Sequence, residues 1–260
     1  MADVPLYSIV TITYENLPGL VETVESVRRQ SFRDFEHIVV DGDSSDGTAE
    51  WLRHNFSGEW VSEPDDGRYP AMNKGARMSH GEYLWFLHAG DVLGDPDVLA
   101  RVAVALAERP EWAYGLARVV NPDKSLKGTL GFVPFSRFDF TVLGRPLPHQ
   151  ATVIRRSLFE QLGGYDETVP VAADQLLMLQ ALGVASPVAL PDFLCDFDAT
   201  GISADRPWWA DFRDAERNRR QTAHPVTRWR ALDTLLALSF AIVRQVARLG
   251  RRILSGERHP

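Results

Sequence analysis

A single cysteine, Cys195, is all the thiol the chain carries, so no internal disulfide can form. That usage suits a reducing compartment, and beside Leu194 the residue reads as a small core side chain. Long hydrophobic runs are missing as well. No stretch approaches the roughly 20 apolar residues that a spanning helix requires. The first residues, Met1-Ala2-Asp3-Val4-Pro5, lack the basic and apolar regions of a secretory signal. We therefore expect a cytoplasmic protein. Positive charge is not in surplus: 28 Lys and Arg stand against 35 Asp and Glu, a formal net charge of −7 that argues against a nucleic-acid partner. Internal repeats and low-complexity segments are absent. No G-x-G-x-x-G follows the first strand-like segment and no G-x-x-x-x-G-K-[ST] occurs, which removes the usual glycine-backed phosphate cradles. What remains, 260 residues with 45% hydrophobic and 24% charged side chains, has the make-up of an ordinary globular protein.

The hydrophobic pattern alternates between two periods. Tyr7 to Tyr14 is β-branched and aromatic, a first strand. Leu20, Val21, Val24 and Val27 then recur at helical spacing up to Gln30. Phe35 to Val40 predicts a second strand, Thr48 to His54 a helix and Trp60-Val61 a short strand. Ala71 to Met78 reads as a helix, Leu84 to Leu87 as a strand buried on both faces, Pro96 to Glu108 as a helix and Trp112 to Val120 as a strand. Such alternation predicts an α/β fold, a mostly parallel sheet flanked by helices with right-handed crossovers. Asn121-Pro122-Asp123 looks like a turn between two strands, which adds a small antiparallel region.

Polar clusters close successive strands: Thr13-Tyr14-Glu15, Asp41-Gly42-Asp43 and His88-Ala89-Gly90-Asp91. In an open parallel sheet, ligands bind outside the carboxyl ends of the strands, so these three loops converge on one crevice. Carboxylates rather than glycine amides face the ligand there. That suits a nucleotide whose phosphates are held through a hard divalent cation, Mg²⁺ or Mn²⁺. Taken by itself, Asp91 could equally turn the chain or cap the helix that starts near Pro96.

Several stretches together resemble family 2 glycosyltransferases of the GT-A fold. They are Ser8 to Tyr14, Val39 to Thr48, Glu63 to Gly75, Phe86 to Asp91, Pro148-His149-Gln150, Arg155 to Phe159, Gly163 to Glu167 and Ala172-Ala173-Asp174. The resemblance covers most of residues 6 to 205, so residues 1–205 are taken as the GT-A domain and 206–260 as a C-terminal helical extension. It implies transfer of a sugar, with inversion, from a nucleotide-diphosphate sugar donor to a hydroxyl of a glycan or lipid-linked acceptor. Asp91 would coordinate the metal on the donor diphosphate, and Asp174 would be the catalytic base. The donor-binding set is Thr13, Tyr14, Glu15, Asp41, Asp43, Asp65, Asn73, His88 and His149. The residue pattern alone also allows an N-cap role for Asp174 at the head of the Leu176-Leu177-Leu179 helix, and a merely satisfied histidine at position 149.

Three positions depart from the family pattern. Gly42 stands where many relatives carry an Asp that reads a uracil edge, so no strong preference for UDP is expected and a GDP-sugar is a candidate donor. Only the last carboxylate of the usual pair remains in His88-Ala89-Gly90-Asp91. Pro70 removes a polar contact at a helix start. Two other classes compete with the transferase reading. One is a sugar nucleotidyltransferase, which needs a basic Gly-rich loop where this chain has Glu15-Asn16-Leu17-Pro18-Gly19. The other is a non-catalytic sugar-nucleotide or membrane-docking module.

The end of the chain differs in character. From about Arg228 to Ile253 the pattern is helical, with Leu232, Leu235, Leu236, Ile242, Val243, Val246, Leu249 and Ile253 apolar. Arg244, Arg248, Arg251 and Arg252 line the other side. Such a helix can lie in a membrane surface, here the inner face of the plasma membrane. It can also pack on the domain and leave its basic side in water. Trp208-Trp209 either stacks on a sugar or anchors the helix that follows.

Overall fold

The computed structural model describes residues 4–198, 207–222, 226–227 and 229–255, with 198 and 248–255 by backbone alone. The expected boundary at 205/206 and Arg228 lie outside the described residues, as do the side chains of Arg248, Leu249, Arg251, Arg252 and Ile253.

The chain runs β1 (Tyr7–Thr13), α1 (Leu17–Arg28), β2 (Phe35–Asp41), α2 (Thr48–Asn55), β3 (Glu59–Ser62), α3 (Arg68–Met78) and β4 (Tyr83–His88). Next come β5 (Val92–Leu93), α4 (Val98–Ala105), β6 (Trp112–Val120), β7 (Leu126–Leu130) and α5 (Arg137–Thr141). A 3₁₀ turn (His149–Ala151) leads into β8 (Thr152–Arg155), α6 (Arg156–Gln161), α7 (Ala173–Val184) and β9 (Val188–Asp198). The helices α8 (Trp208–Thr222) and α9 (Arg230–Ser255) complete the described chain.

All nine strands join one sheet, ordered β3-β2-β1-β4-β8-β6-β9-β5 with β7 on β6. The half made of β3, β2, β1 and β4 is parallel throughout. β8 enters antiparallel between β4 and β6, and β9 runs parallel beside β6. Most strands therefore point one way, with β8, β7 and β5 reversed. The antiparallel region is larger than the hairpin at Asn121-Pro122-Asp123 suggested. β5 and β8 are only two and four residues long, too short for a periodicity to show.

β4 explains why its end carries the site. Its alternate residues feed two different cores, as a strand of period two must when helices cover both faces. Leu84 and Phe86 pack with Val10, Met72, Tyr165 and Leu176 on the α3/α7 side. Tyr83, Trp85 and Leu87 pack with Tyr7, Ile9, Leu99 and Val102 on the α4 side. Trp85 is fully buried and donates its indole N–H to the carbonyl of Gln150 at 2.7 Å. That bond fastens the 3₁₀ turn bearing His149 to the strand bearing His88. Cys195 lies buried in the α4-side core, as expected.

The last two helices are held by polar contacts rather than by tryptophan. On α8 the buried residues are Ala210, Asp214, Asn218 and Arg219, while Trp209 is more than half exposed and Arg213 sits over its ring. Asn218 donates to the carbonyl of Ala172 at 2.8 Å and Arg217 to that of Val171 at 3.2 Å. α8 thus buttresses the turn leading into α7. On α9, Asp233 is buried and accepts from the backbone N–H groups of Val226 and Thr227, and Ala237 is buried. Leu235, Ile242, Val243 and Val246 lie on the opposite side and are exposed. Among the described residues no helix is long and apolar enough to cross a membrane.

Candidate active site

The turn after β4 is built around a threonine. Thr23 on α1 donates its hydroxyl to the carbonyl of Asp91 at 2.7 Å and accepts the N–H of Gly90 at 2.9 Å. The N–H of Asp91 donates to the carbonyl of His88 at 2.9 Å, and Asp91 Oδ2 accepts the N–H of His88 at 2.8 Å. Gly90 has φ +103°, a left-handed backbone that a side chain would strain. Asn16 caps α1 through Gly19 and donates to the carbonyl of Ala89 at 3.0 Å. Asp91 is therefore buried and fixed, and it caps no helix: α4 begins at Val98 after Asp97.

Two imidazoles and a second carboxylate meet at this turn. The rings of His88 and His149 lie 4.8 Å apart between centroids, inclined at 47°. His88, Asp91 and His149 bring one ligand atom each to within 4.8 Å of the others. His149 Nδ1 faces Asp174 Oδ2 at 3.5 Å. Asp174 Oδ1 accepts the hydroxyl of Tyr69 at 3.0 Å, and Oδ2 accepts the amide of Gln175 at 3.0 Å. The same Tyr69 hydroxyl accepts the N–H of Ala173 at 3.1 Å, which fixes the start of α7. Asp174 is not an N-cap. That position belongs to Ala172, at φ +66°, without a side-chain cap bond.

The charge states follow from these partners. Burial works against ionisation of Asp174, but hydrogen bonds from His149, Gln175 and Tyr69 hold its carboxyl far below the usual range. Burial pushes the imidazole of His88 well below its ordinary value, helped by His149 and Arg68, so it is neutral at pH 7. Burial raises the Tyr69 phenol, and the Asp174 carboxylate raises it further. His88 Nε2 and His149 Nε2 are both buried with no hydrogen-bond partner in the protein. Orphaned nitrogens beside a fixed carboxylate fit a divalent cation by donor chemistry.

Comparison with known proteins agrees with this geometry. Residues 8–163 match the family described as Glycosyl transferase family 2. The chain belongs to that family. A glycosyltransferase of Mycobacterium tuberculosis is 40% identical over 224 residues, 84% of each chain. A PGL/p-HBAD biosynthesis glycosyltransferase of Mycobacterium bovis is 34% identical over 175 residues, 65% of this chain and 67% of that one. Among solved structures, the mannosyltransferase PcManGT from Pyrobaculum calidifontis, in complex with GDP-Man and Mn²⁺, superposes with a TM-score of 0.65 at 18% identity. That match covers 99% of this chain and 77% of the other. S. aureus TarS 1–349 in complex with UDP gives 0.63 at 18% identity, over 90% and 70%. The fold is GT-A, and the protein is an enzyme. The nucleotidyltransferase and the non-catalytic module are set aside.

The remaining donor residues expected for this glycosyltransferase divide in two. Thr13, Tyr14, Asp43 and Asp65 lie at or just after the ends of β1, β2 and β3. Tyr14 is two-thirds exposed, and Thr13 Oγ1 is buried without a partner. Between Tyr14 and Asp65 sits Gly42, where a Cβ would approach Asp65 Oδ2 at 3.0 Å and the Tyr14 ring at 3.2 Å. The other group is taken up by the fold. Asp41 is fully buried, accepting from Ser44 and Ser62. Glu15 accepts the N–H of Ser45 at 2.7 Å and holds that loop. Asn73 uses both ends of its amide on the backbone of Tyr165, and also donates to Glu167 at 2.8 Å. Asn73 thus ties α3 to the Tyr165 turn. Thr23, Tyr69, Gln175 and Arg68 went unnoticed in the sequence. Arg68 opens α3, with its guanidinium 5.1 Å from the centroid of the Tyr69 ring. Nothing in the sequence spacing flags the roles of Thr23 and Tyr69, because the groups they hold lie 68 and 105 residues along the chain.

Proposed function

We propose that this glycosyltransferase moves a sugar, with inversion, from a nucleotide-diphosphate donor to a hydroxyl of a glycan or lipid-linked acceptor. The observation that carries the reading is the cluster of His88, Asp91, His149 and Asp174 at the end of β4, where the polar ends of β1 and β2 also converge. Asp91 would hold a divalent cation, whose positive charge would offset that of the departing diphosphate. Tyr14 and the space over Gly42 offer the nucleobase a flat surface. Asp174 takes the proton of the acceptor hydroxyl as its oxygen bonds to the sugar carbon. Tyr69 and Gln175 hold that carboxylate ionised and aimed, and burial of the cluster keeps bulk water from competing.

The donor base follows from position 42. No carboxylate can reach a uracil edge from Gly42, and Asp41 beside it is occupied by two serines. We therefore expect no exclusive preference for UDP. The exposed apolar side of α9 supports an additional role, in which the enzyme rests on the cytoplasmic face of the membrane that holds a lipid-linked acceptor.

A thermal-shift screen of UDP-, GDP- and dTDP-sugars with Mg²⁺ or Mn²⁺ tests the assignment, since a ligand that binds the native state raises its melting temperature. At least one nucleotide sugar should stabilise the protein in a cation-dependent way. Stabilisation by UDP alone would overturn the donor reading. No response to any nucleotide sugar would overturn the assignment as a whole.

A further inference from the structure

We infer that the cation site of this enzyme is a two-histidine, one-carboxylate centre, His88 Nε2, His149 Nε2 and Asp91, which selects a borderline transition ion such as Co²⁺ or Zn²⁺ over Mg²⁺ and binds it without nucleotide. The inference rests on the glycosyltransferase reading only for the location of the site. Its content is the ligand set.

Three observations converge on it. First, both Nε2 atoms are buried and lack any protein partner. An imidazole nitrogen left so costs free energy unless something outside the protein engages it. Second, the two orphaned nitrogens are on rings in contact, at 4.8 Å between centroids, and they share the neighbourhood of one carboxylate. Nitrogen–metal bonds are about 2.1 Å, so modest side-chain rotation brings the three groups onto one ion. Third, the far side of His149 is backed by a carboxylate. Its Nδ1 faces Asp174 Oδ2 at 3.5 Å, and Asp174 is itself held by Tyr69 and Gln175. A carboxylate behind a histidine fixes the tautomer that leaves Nε2 free as a lone-pair donor, an arrangement typical of metal-binding histidines.

The ligand set decides the ion. Mg²⁺ prefers oxygen donors and keeps its waters, whereas imidazole suits the later transition metals. Of the three groups, only Asp91 offers oxygen. The site should therefore discriminate against Mg²⁺ even though the diphosphate of the donor would accept either ion.

Co²⁺ titrated into the nucleotide-free full-length enzyme tests this, because its visible absorption reports nitrogen ligation. We expect one Co²⁺ per chain, displaced by Zn²⁺ and retained against a hundredfold excess of Mg²⁺. His88→Asn and His149→Asn should each weaken Co²⁺ binding at least tenfold while melting within a few degrees of the parent. Should neither variant fold, the wild-type spectrum and the Mg²⁺ competition decide. Absence of stoichiometric Co²⁺ binding, displacement by equimolar Mg²⁺, or unchanged affinity in folded His88→Asn would overturn the inference. Failure here is separable from failure of the functional reading. If a nucleotide sugar with Mg²⁺ raises the melting temperature while Co²⁺ does not bind, the donor site stands and the two-histidine centre falls. If Co²⁺ binds as expected and no nucleotide sugar does, the reverse holds.

Discussion

Asp174, the proposed base, is held on both of its oxygens. Three groups converge on its two oxygens, and each stabilises the ionised form. Ionisation at neutral pH is what a proton acceptor needs, although the same bonds reduce its basicity. Asp174→Asn separates proton transfer from support, because the amide oxygen can still accept from Tyr69 but cannot take a proton. We expect the variant to fold and to bind donor normally, while transfer to the acceptor falls roughly 10²–10⁴-fold. Near-normal transfer in a steady-state assay would move the base elsewhere, with Asp66 the next carboxylate to examine. At Asp91 the substitution has to be chosen differently. A loop carboxylate read from sequence invites replacement by Ala, but the buried Oδ2 holds the N–H of His88. Asn keeps that acceptor and removes the charge.

At the scale of elements, the turn after β4 is only as well placed as its grip on α1. Thr23 bonds to the backbone of Gly19, His88, Gly90 and Asp91, so one hydroxyl ties the helix to the turn. Thr23→Val removes all four of those bonds from a buried place, at a cost of about 1–3 kcal/mol. A lower urea midpoint and reduced turnover should appear together. An unchanged midpoint would mean that the turn holds itself. The helix α9 carries a second element-level expectation. Replacing Leu235, Ile242 and Val246 by Ser should lower recovery on anionic vesicles severalfold in a flotation assay, with the melting temperature unaffected, since all three are exposed. Equal flotation would show that this face does not meet a membrane. Most elements were legible in the sequence because their pattern is local. β6 runs from Trp112 to Val120 as its alternation predicts, and α2 differs by one residue from its expected end. The polar ends of β1, β2 and β4 were legible for the same reason. Thr23 and Tyr69 were not, because what they hold lies elsewhere: Tyr69 and Asp174 are 105 residues apart, Thr23 and Asp91 are 68 apart. The bonds of Asn73 were hidden for a related reason, since only the folded chain brings the backbone of Tyr165 to its amide.

At the scale of the whole molecule, we expect a pH dependence of stability set by buried imidazole. His37 on β2 is buried against Phe56, with its Nε2 at 2.9 Å from the hydroxyl of Thr11. Burial, with Arg28 nearby, pushes its pKa down to about 3 from 6.5. Above pH 6.5 the ring is neutral in both folded and unfolded chains and adds no pH dependence. As the pH falls through 6.5, the unfolded chain takes up a proton that the folded one refuses, so stability declines until about pH 3. His88 pulls in the same direction. Urea unfolding between pH 4 and 7 should show this decline, and His37→Gln should flatten it. An identical slope in the variant would place the acid sensitivity elsewhere. Across the sheet, the parallel half ends in the polar loops after β1, β2 and β4, and the β8, β6 and β9 half brings in His149 and the α7 start, so the proposed catalytic cluster lies where the halves meet. The decisive measurement is calorimetric titration of the preferred nucleotide sugar, in the presence of Mn²⁺, into the wild-type enzyme and Asp91→Asn. We expect cation-dependent binding to the wild type and loss of that dependence in the variant, at an unchanged melting temperature. Equal, cation-dependent binding to both would contradict a donor site centred on Asp91.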